Sequence, residues 1–420
     1  MMHALGRLLI TVAAAVTIAG GGNAAAAQAT TAPAQADYHI YAGNTHAHTA
    51  FTWSHGDQWQ SPKPGGADAK EPAIERTPDG AQLPGKSKTL KPDWQKHQGP
   101  PAEHYALAKA NGYDFYVTTD HSQEAGFQPP RADNPQWAAT KDQAAEASDE
   151  HFVALAGYEH SENNGPGGTG HLNVINSADY LNALAPGVDL QRLYKWLETA
   201  TPNGDGPVVA SFNHPGPHQY DGWAFRDPEI TDIITMLEVI NSNNHIHYDA
   251  FINALDKGWK VSPVCGNDNH GLWGITHQTS RTFVLATERT KPAILDAMKH
   301  RRTYASLDGN IQCRYSVNGA IMGSTLDRPG VLHFDISVSD PDTSEPKDKI
   351  TRIDIVKDGG AVVQTFRPSP PDYAVTWRPD LEDSSSKYVF VRVWNAGGGD
   401  APKADPEKPV AWLAPVWTGR

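Results

Sequence analysis

Between about residues 37 and 310, short apolar and β-branched runs alternate with helix-like segments. The strand-like runs include YHIYAGNTH, YDFYVTTDH, FVALAGYEH, VVASFNHP, ITMLEVINS and RTFVLATE, and the helix-like segments include PAEHYALAKANG and KPAILDAMKHRR. This alternation is typical of α/β proteins, in which helices connect strands that run mostly parallel. We therefore predict an α/β domain over residues 37–311.

The pattern changes near residue 312, where apolar residues alternate with polar ones and turn signals separate the runs, as in RYSVNGAIMG, VLHFDISVSD and YVFVRVWNAGGG. Asn318-Gly319 and Asp358-Gly359 are typical of tight hairpin turns. Residues 312–420 are therefore predicted to form a small all-β domain resembling an antiparallel sandwich.

Residues 58–103 interrupt the first domain with eight prolines between Pro62 and Pro101 and no clear periodicity. A stretch of this kind is either a functional loop or a disordered insert, and the sequence leaves both open. Because the insert begins close to the first histidines, it could cover a site there, with Trp53, Trp59 or Trp94 touching a substrate.

The first 29 residues have the pattern of a secretory signal peptide. Arg7 precedes an apolar run at residues 8–18, and small residues offer cleavage near Ala27 or Ala29. We expect a secreted or periplasmic protein whose mature chain has no membrane span, because later segments fall short of the roughly 20 apolar residues that a span needs.

Charge and cysteine content argue against two further classes of protein, nucleic-acid binders and proteins with thiolate zinc sites. The formal charge of -13 and the lack of clustered Lys and Arg argue against binding to nucleic acid. Cys265 and Cys313 are the two cysteines and have no CxxC spacing, so a thiolate zinc site is not expected. Whether they form a disulfide stays open.

Metal-ligating residue types recur where the predicted strands end. In a parallel α/β domain such positions converge on one crevice. Neutral imidazole and carboxylate form a ligand set for Zn, Mn or Fe. The residues at these positions are His46, His48, His55, Asp120, His121, Glu159, His171, His214, Asp268 and His270.

Each motif alone has an ordinary structural explanation. Thr-Asp-His is common in capped turns, His214 precedes a proline, and Asp268 could cap the next helix. Together the motifs are hard to explain structurally, because strand ends have no general need for imidazole. The series therefore favours a site for several metal ions.

The order His-x-His, T-D-H, G-x-E, G-H-x-N, H-P and G-N-D-x-H resembles the polymerase and histidinol phosphatase (PHP) superfamily over about residues 38–305. The resemblance implies a distorted seven-stranded (β/α) barrel with two or three divalent ions at its carboxyl face. Glu159 would be the bridging carboxylate. The implied ligands are His46, His48, His121, Glu159, His171, His214, Asp268 and His270. The family's further ligand falls in TWSHGD, where His55 is our choice and Asp57 the alternative.

The resemblance implies a hydrolase that uses metal-activated water on a small-molecule ester. Phosphate esters are favoured, because three ions would bring about +6 against about -2 from Glu159 and Asp268. The C-terminal segment is similar to a secreted branch that includes carbamate hydrolases, so carbamate or carboxylic esters are the alternative. A non-catalytic secreted binding protein is a remote alternative that the intact ligand series disfavours.

Three more residues are candidates for catalysis. Asp120 and His218 could donate a proton to the leaving group, although Asp120 could instead orient a ligating imidazole. Arg281 could contact substrate oxygens or bond loop backbone.

Overall fold

The computed structural model describes residues 37–60, 74–78, 80–86, 88–162, 170–216, 219–383, 385–400 and 404–420. The predicted signal peptide and His218 lie outside these ranges. The strands are β1 (His39–Asn44), β2 (Trp59–Gln60), β3 (Ile74–Arg76), β4 (Gln82–Pro84), β5 (Thr89–Leu90), β6 (Phe115–His121), β7 (Val153–Glu162), β8 (Gly170–Ile175), β9 (Val209–Asn213), β10 (Ile234–Asn241), β11 (His245–Ile246), β12 (Ser262–Cys265), β13 (Arg281–Ala286), β14 (Thr303–Ser306), β15 (Gln312–Val317), β16 (Ala320–Ile321), β17 (Val331–Ser339), β18 (Ile350–Lys357), β19 (Ala361–Phe366), β20 (Ala374–Trp377), β21 (Asp380–Glu382), β22 (Tyr388–Asn395), β23 (Ala411–Leu413) and β24 (Val416–Trp417). The helices are α1 (Pro101–Ala110), α2 (Pro135–Ala147), α3 (Leu190–Leu197), α4 (Tyr220–Trp223), α5 (Pro228–Thr231), α6 (Tyr248–Asp256), α7 (Trp273–His277) and α8 (Lys291–Lys299).

Local sequence explains where these elements begin and which face they bury. In α2, Pro135 occupies the first turn and the Asn134 side chain accepts hydrogen bonds from the Gln136 and Trp137 amides. Every residue of β6 is buried, as expected for a parallel strand covered on both faces. In α3, Leu190, Leu193 and Leu197 recur at helical spacing and are buried.

A large mixed sheet organises the chain, and the α/β prediction is confirmed. Its order is β11-β10-β9-β8-β7-β6-β1-β13-β14-β23-β22-β18-β19, with β12 paired to β10 and β24 to β22. Strands β1, β6 and β7 are parallel, and so are β9, β10 and β12. Strand β8 is antiparallel to both β7 and β9, and β13 is antiparallel to β1. The sheet is therefore less uniformly parallel than the sequence suggested.

The two ends of the predicted barrel approach each other at β12 and β13. In the described residues, no strand ladder joins β12 to β13, but the Thr282 hydroxyl donates to the Cys265 carbonyl at 2.9 Å and accepts from the Cys265 amide at 2.7 Å. The closed seven-stranded barrel stays a prediction.

Strands β15–β24 lie in the C-terminal segment, whose described part otherwise contains loops and short 3-10 turns. The hairpins at Asn318-Gly319 and Asp358-Gly359 are present, joining β15 to β16 and β18 to β19. Strand β14 pairs with β23, which pairs with β22, so the large sheet continues into this segment. The division into domains at residues 311 and 312 stays a prediction.

The described part of the insert contains two small two-stranded antiparallel sheets, β2 with β5 and β3 with β4. Trp53 packs edge-on against Trp59 and Trp94, with ring centroids 5.3 and 5.6 Å away. Elsewhere, Cys265 and Cys313 are both free and buried. In the described residues, no helix is long and apolar enough to cross a membrane.

Candidate metal centre

The predicted ligands come together where β1, β6, β7 and β9 end. The segment after β1 is held against residues 268 and 269 by two backbone bonds, from the His48 amide to the Asn269 carbonyl and from the Asp268 amide to the His46 carbonyl, both at 2.9 Å. His171 reaches the same place from the start of β8 rather than from a strand end. It does so because β8 runs antiparallel to β7, with His171 paired to Ser161.

Glu159 is the centre of the cluster and is 1 % exposed. Its Oε1 lies 3.3 Å from His171 Nδ1 and 3.2 Å from His214 Nε2. Its Oε2 lies 3.0 Å from His121 Nε2. The two carboxylate oxygens of Glu159 therefore face different histidines.

His46, His48 and Asp268 form a compact group beside Glu159. The two Nε2 atoms of His46 and His48 are 3.0 Å apart. Asp268 Oδ1 lies 3.0 Å from His48 Nε2 and 3.4 Å from His46 Nε2. Glu159 Oε1 lies 3.4 Å from His46 Nε2. This group thus supplies two imidazoles and two carboxylates from three separate stretches of chain.

A second group consists of His55, His121 and His270. His270 Nε2 lies 3.0 Å from His55 Nε2, and the His55 and His121 ring centroids are 4.7 Å apart. Asp57 is exposed, and its carboxylate packs against Gly271. The structure therefore brings His55, rather than Asp57, to the other histidines.

Outer hydrogen bonds fix the orientation of four rings. His46 Nδ1 contacts Glu238 Oε1 at 2.7 Å, and His48 Nδ1 contacts Thr52 Oγ1 at 3.3 Å. Ser54 Oγ lies 2.9 Å from His55 Nδ1, and His270 Nδ1 lies 3.1 Å from the Asp268 backbone carbonyl. Each ring thus uses Nδ1 outside and presents Nε2 to the centre, which is the usual arrangement of metal-ligating histidines.

Glu238 is a fully buried residue that sequence analysis did not identify as part of the site. Its Oε2 accepts hydrogen bonds from the His214 amide at 2.7 Å and the Asn241 side chain at 2.8 Å. A Cβ on Gly266 would lie 1.8 Å from Glu238 Oε1, so this position needs glycine. Glu238 stands inside the apolar strand ITMLEVIN, and a carboxylate inside such a run was the available signal.

Charge within the cluster determines its protonation. Burial disfavours ionisation of Glu159, but the neighbouring imidazoles, His46 first, outweigh it and hold the carboxyl pKa well below its usual range. Burial and the surrounding imidazoles lower the pKa of His48 and His55 well below the usual value. These two rings are therefore neutral and able to act as ligands over a wide pH range.

The donor set fits divalent cations. Two imidazole nitrogens that face each other at 3.0 Å can share only one proton, whereas a cation uses both lone pairs. Ligand atoms of several groups lie within 4.8 Å of one another, including His46, His48 and Glu159, and Glu159, His171 and His214. Imidazole and carboxylate without thiolate suit Zn, Mn or Fe.

Backbone strain is present at two of the predicted ligands. His214 has φ of 28° and Asp268 has φ of 48°, although neither is glycine. Conformations of this kind cost about 1–3 kcal/mol and persist where surrounding contacts impose them. Here they direct both side chains toward Glu159 and His48.

Asp120 and Arg281 lie away from the open face of the cluster. Asp120 accepts bonds from the amides and hydroxyls of Thr49 and Thr52 at 2.7–2.9 Å, which fixes the turn after His48. Arg281 donates to the Gln278 and Ser280 carbonyls and stacks over the Tyr113 ring. Asp120 is thus linked to an imidazole through the Thr52 hydroxyl, which contacts His48 Nδ1. The Arg281 contacts are those of the loop-bonding alternative. His218, the other proposed proton donor, is not among the described residues.

The mouth of the site is a cavity of about 280 Å³. Its described lining consists of His55, Gln82, His121, Glu159, His171, His214, Asp268 and His270. Gln82 comes from the insert, is 3 % exposed, and its Oε1 has no hydrogen-bond partner. The insert therefore contributes a polar side chain to the cavity, at a position that the pattern of residues 58–103 did not single out.

No protein-family model matches the chain, and no curated protein matches it. Among solved structures, the chain is similar to a two-domain protein from Bacteroides vulgatus ATCC 8482 that contains a predicted PHP-like metal-dependent phosphoesterase. Identity is 16 %, the TM-score is 0.41, and the match covers 90 % of this chain and 95 % of that one.

Proposed function

We propose that the chain is a metal-dependent hydrolase of the PHP type that cleaves small phosphate esters outside the cytoplasm. The convergence of nine ligand-type side chains, with Glu159 at their centre, supports this most strongly. Those side chains are His46, His48, His55, His121, Glu159, His171, His214, Asp268 and His270. The secreted or periplasmic location rests on the signal-like first 29 residues.

Two or three divalent ions are the proposed cofactors. His46, His48 and Asp268 would hold one ion, His171 and His214 a second, and Glu159 would bridge them. His55, His121 and His270 would hold the third. Ions of this class act as Lewis acids and lower the pKa of water from about 15.7 toward 7.

The chain's own residues account for the preference for an anionic substrate. Glu159 and Asp268 are the two carboxylates in the described cavity lining, while the other titratable groups there are imidazoles. With ions bound, the cavity would be cationic despite the acidic chain, which favours phosphate over a neutral ester. Gln82 would donate from its Nε2 to a substrate oxygen, and His218 remains the candidate proton donor to the leaving group.

One observation favours carbamate or carboxylic esters as the second candidate. The described cavity lining contains no Lys or Arg, and Arg281 bonds loop carbonyls instead. Enzymes that select phosphate commonly place Lys or Arg beside the metal ions, where these side chains bind the phosphate oxygens. A neutral carbonyl substrate needs no such clamp.

A substrate panel separates these candidates. Chromogenic phosphomonoesters, phosphodiesters, carbamates and carboxylic esters would be assayed with the metal-loaded chain. Glu159→Gln, purified in parallel, measures contaminating activity. Phosphate ester turnover that the variant lacks supports the proposal, whereas turnover confined to carbamates or carboxylic esters selects the alternative. No Glu159-dependent turnover of any class would reject both.

A further inference from the structure

A second cluster of acidic side chains lies in the C-terminal half, far along the chain from the histidine ligands. Asp308 follows β14, Asp340 follows β17, Asp348 precedes β18, and Asp400 follows β22. Strand pairing brings these loops to one place, since Gln312 pairs with Ser339 and Ile350 pairs with Asn395.

Three of these carboxylates are withdrawn from solvent. Asp308, Asp340 and Asp348 are 1 %, 3 % and 2 % exposed. Both carboxylate oxygens of Asp348 and Oδ2 of Asp340 have no hydrogen-bond partner. A buried ionised carboxylate without partners is costly, so each such oxygen calls for an explanation.

Most of the remaining oxygens are held by backbone donors, and Asp308 Oδ2 accepts from the Asn395 side chain at 3.3 Å. Asp308 Oδ1 accepts from the Asn310 and Ile311 amides at 3.0 and 2.9 Å. Asp340 Oδ1 accepts from the Asp342 amide at 2.9 Å. Asp400 Oδ2 accepts from the Gly309 amide at 3.1 Å. The loops are therefore built around the carboxylates, and the oxygens of Asp340 and Asp348 that have no partner are left over in the same cluster.

Charge in the cluster is not balanced by the described side chains. Lys347 contacts Asp400 Oδ1 at 2.9 Å, so one ammonium faces four carboxylates. The Asp308 and Asp340 carboxyl groups are neighbours. Burial, with the neighbouring Asp400 and Asp340 carboxylates, raises the pKa of Asp308 to about 7. Burial and the nearby Asp340 raise that of Asp348 to about 6. Without a cation, close like charges oppose ionisation.

We propose that Asp308, Asp340 and Asp348 form a calcium site, with Asp400 at its edge. All candidate ligands are oxygens, and they come from irregular loops, which suits the flexible coordination of Ca²⁺ better than the strict octahedron of Mg²⁺. The site is separate from the imidazole-rich centre, whose nitrogen ligands suit Zn, Mn or Fe.

The position of the site indicates a structural role. Asp308 and Asp340 flank β15 and β17 of the smaller sheet, whereas Asp348 and Asp400 flank β18 and β22 of the large sheet. A cation held by both pairs would tie one end of the two sheets together. Removing the ion should therefore lower thermal stability and leave the hydrolytic centre intact.

Calcium titration of the chelator-treated full chain tests the proposal. Calorimetry should show one binding event, and calcium at about 100 times Kd should raise the unfolding midpoint by about 3 °C. Magnesium should bind at least about tenfold more weakly. The Glu159→Gln chain should keep the calcium response, because that substitution alters only the other centre.

Asp348→Asn removes one charge at nearly constant shape and should abolish the calcium response, and Asp327→Asn on an exposed loop is the matched control. If Asp348→Asn fails to fold, Asp340→Asn carries the same test. Absence of calcium binding to the unsubstituted chain, an equal response to magnesium, or a response that survives Asp348→Asn or Asp340→Asn would overturn the proposal.

Discussion

Replacing Glu238 by glutamine tests whether a residue outside the proposed ligand set controls metal binding. Glutamine has nearly the same shape as glutamate but carries two N–H donors on one terminal atom. Glu238 Oε1 faces His46 Nδ1 at 2.7 Å, and Oε2 accepts from the His214 amide and the Asn241 side chain. Neither orientation of the amide group preserves all of these bonds.

With the amide nitrogen at the Oε2 position, its N–H donors face the N–H donors of His214 and Asn241, and both hydrogen bonds are lost. With the nitrogen at the Oε1 position, it donates to His46 Nδ1, and the neutral ring must then carry its proton on Nε2. That nitrogen faces His48 Nε2 at 3.0 Å and would no longer offer a lone pair to a cation. Either outcome weakens the group formed by His46, His48 and Asp268.

Loss of such an outer partner typically costs 10- to 100-fold in metal affinity or activity, which is about 1.4–2.7 kcal/mol. Metal affinity would be measured by competition with a chromogenic chelator, and kcat by the ester panel. Glu146→Gln, on the exposed face of α2, is the matched control. If Glu238→Gln bound metal within threefold of the unsubstituted chain at unchanged kcat, the argument for an orienting carboxylate would be refuted.

Four further outcomes follow from the site. Glu159→Gln should lose most bound metal, measured by elemental analysis, and its hydrolytic rate should fall at least about 100-fold, because the bridging charge is gone. Metal content unchanged from the parent would show that Glu159 is not a metal ligand. Gln82→Ala should raise KM about 3- to 10-fold at nearly constant kcat, the expected cost of one hydrogen bond to substrate, and an unchanged KM would contradict that contact. Arg281→Ala should lower the unfolding midpoint, because it removes the stacking on Tyr113 and the hydrogen bond to the Gln278 carbonyl, and it should leave kcat unchanged. A large fall in kcat would instead indicate that Arg281 contacts the substrate. Neighbouring carboxylates outweigh burial and raise the pKa of His214 to about 9, so the metal-free ring is protonated at neutral pH. Binding must displace that proton, and metal affinity measured from pH 6 to 8 should rise at least about tenfold per unit; an affinity independent of pH would count against His214 as a ligand.

The strand-end pattern predicted much of the candidate site because chain direction alone decides where strand ends meet. His46, His48, His121 and His214 could be placed at one mouth from the alternation of apolar runs. His171 reached the same mouth for another reason, since strand direction within a mixed sheet depends on pairing between distant segments.

Residues that support the site without being proposed metal ligands were harder to predict from the sequence. Glu238 is a carboxylate inside an apolar strand, which signals a special role but not which site it serves. Gln82 belongs to an insert without periodicity, so its position carries no local signal of proximity to the site. Asp120 was recognisable as polar and adjacent to a ligand, but its bonds to Thr49 and Thr52 depend on tertiary structure. The continuation of the sheet from β14 to β23 likewise joins segments about a hundred residues apart.

Metal content and hydrolysis measured on the same preparation test the central claim most directly. The purified chain should contain two or three equivalents of Zn, Mn or Fe, lose phosphate ester hydrolysis when a chelator removes them, and regain it when the metal is restored. Full hydrolytic rate in a preparation with less than about a tenth of an equivalent of metal would contradict the account.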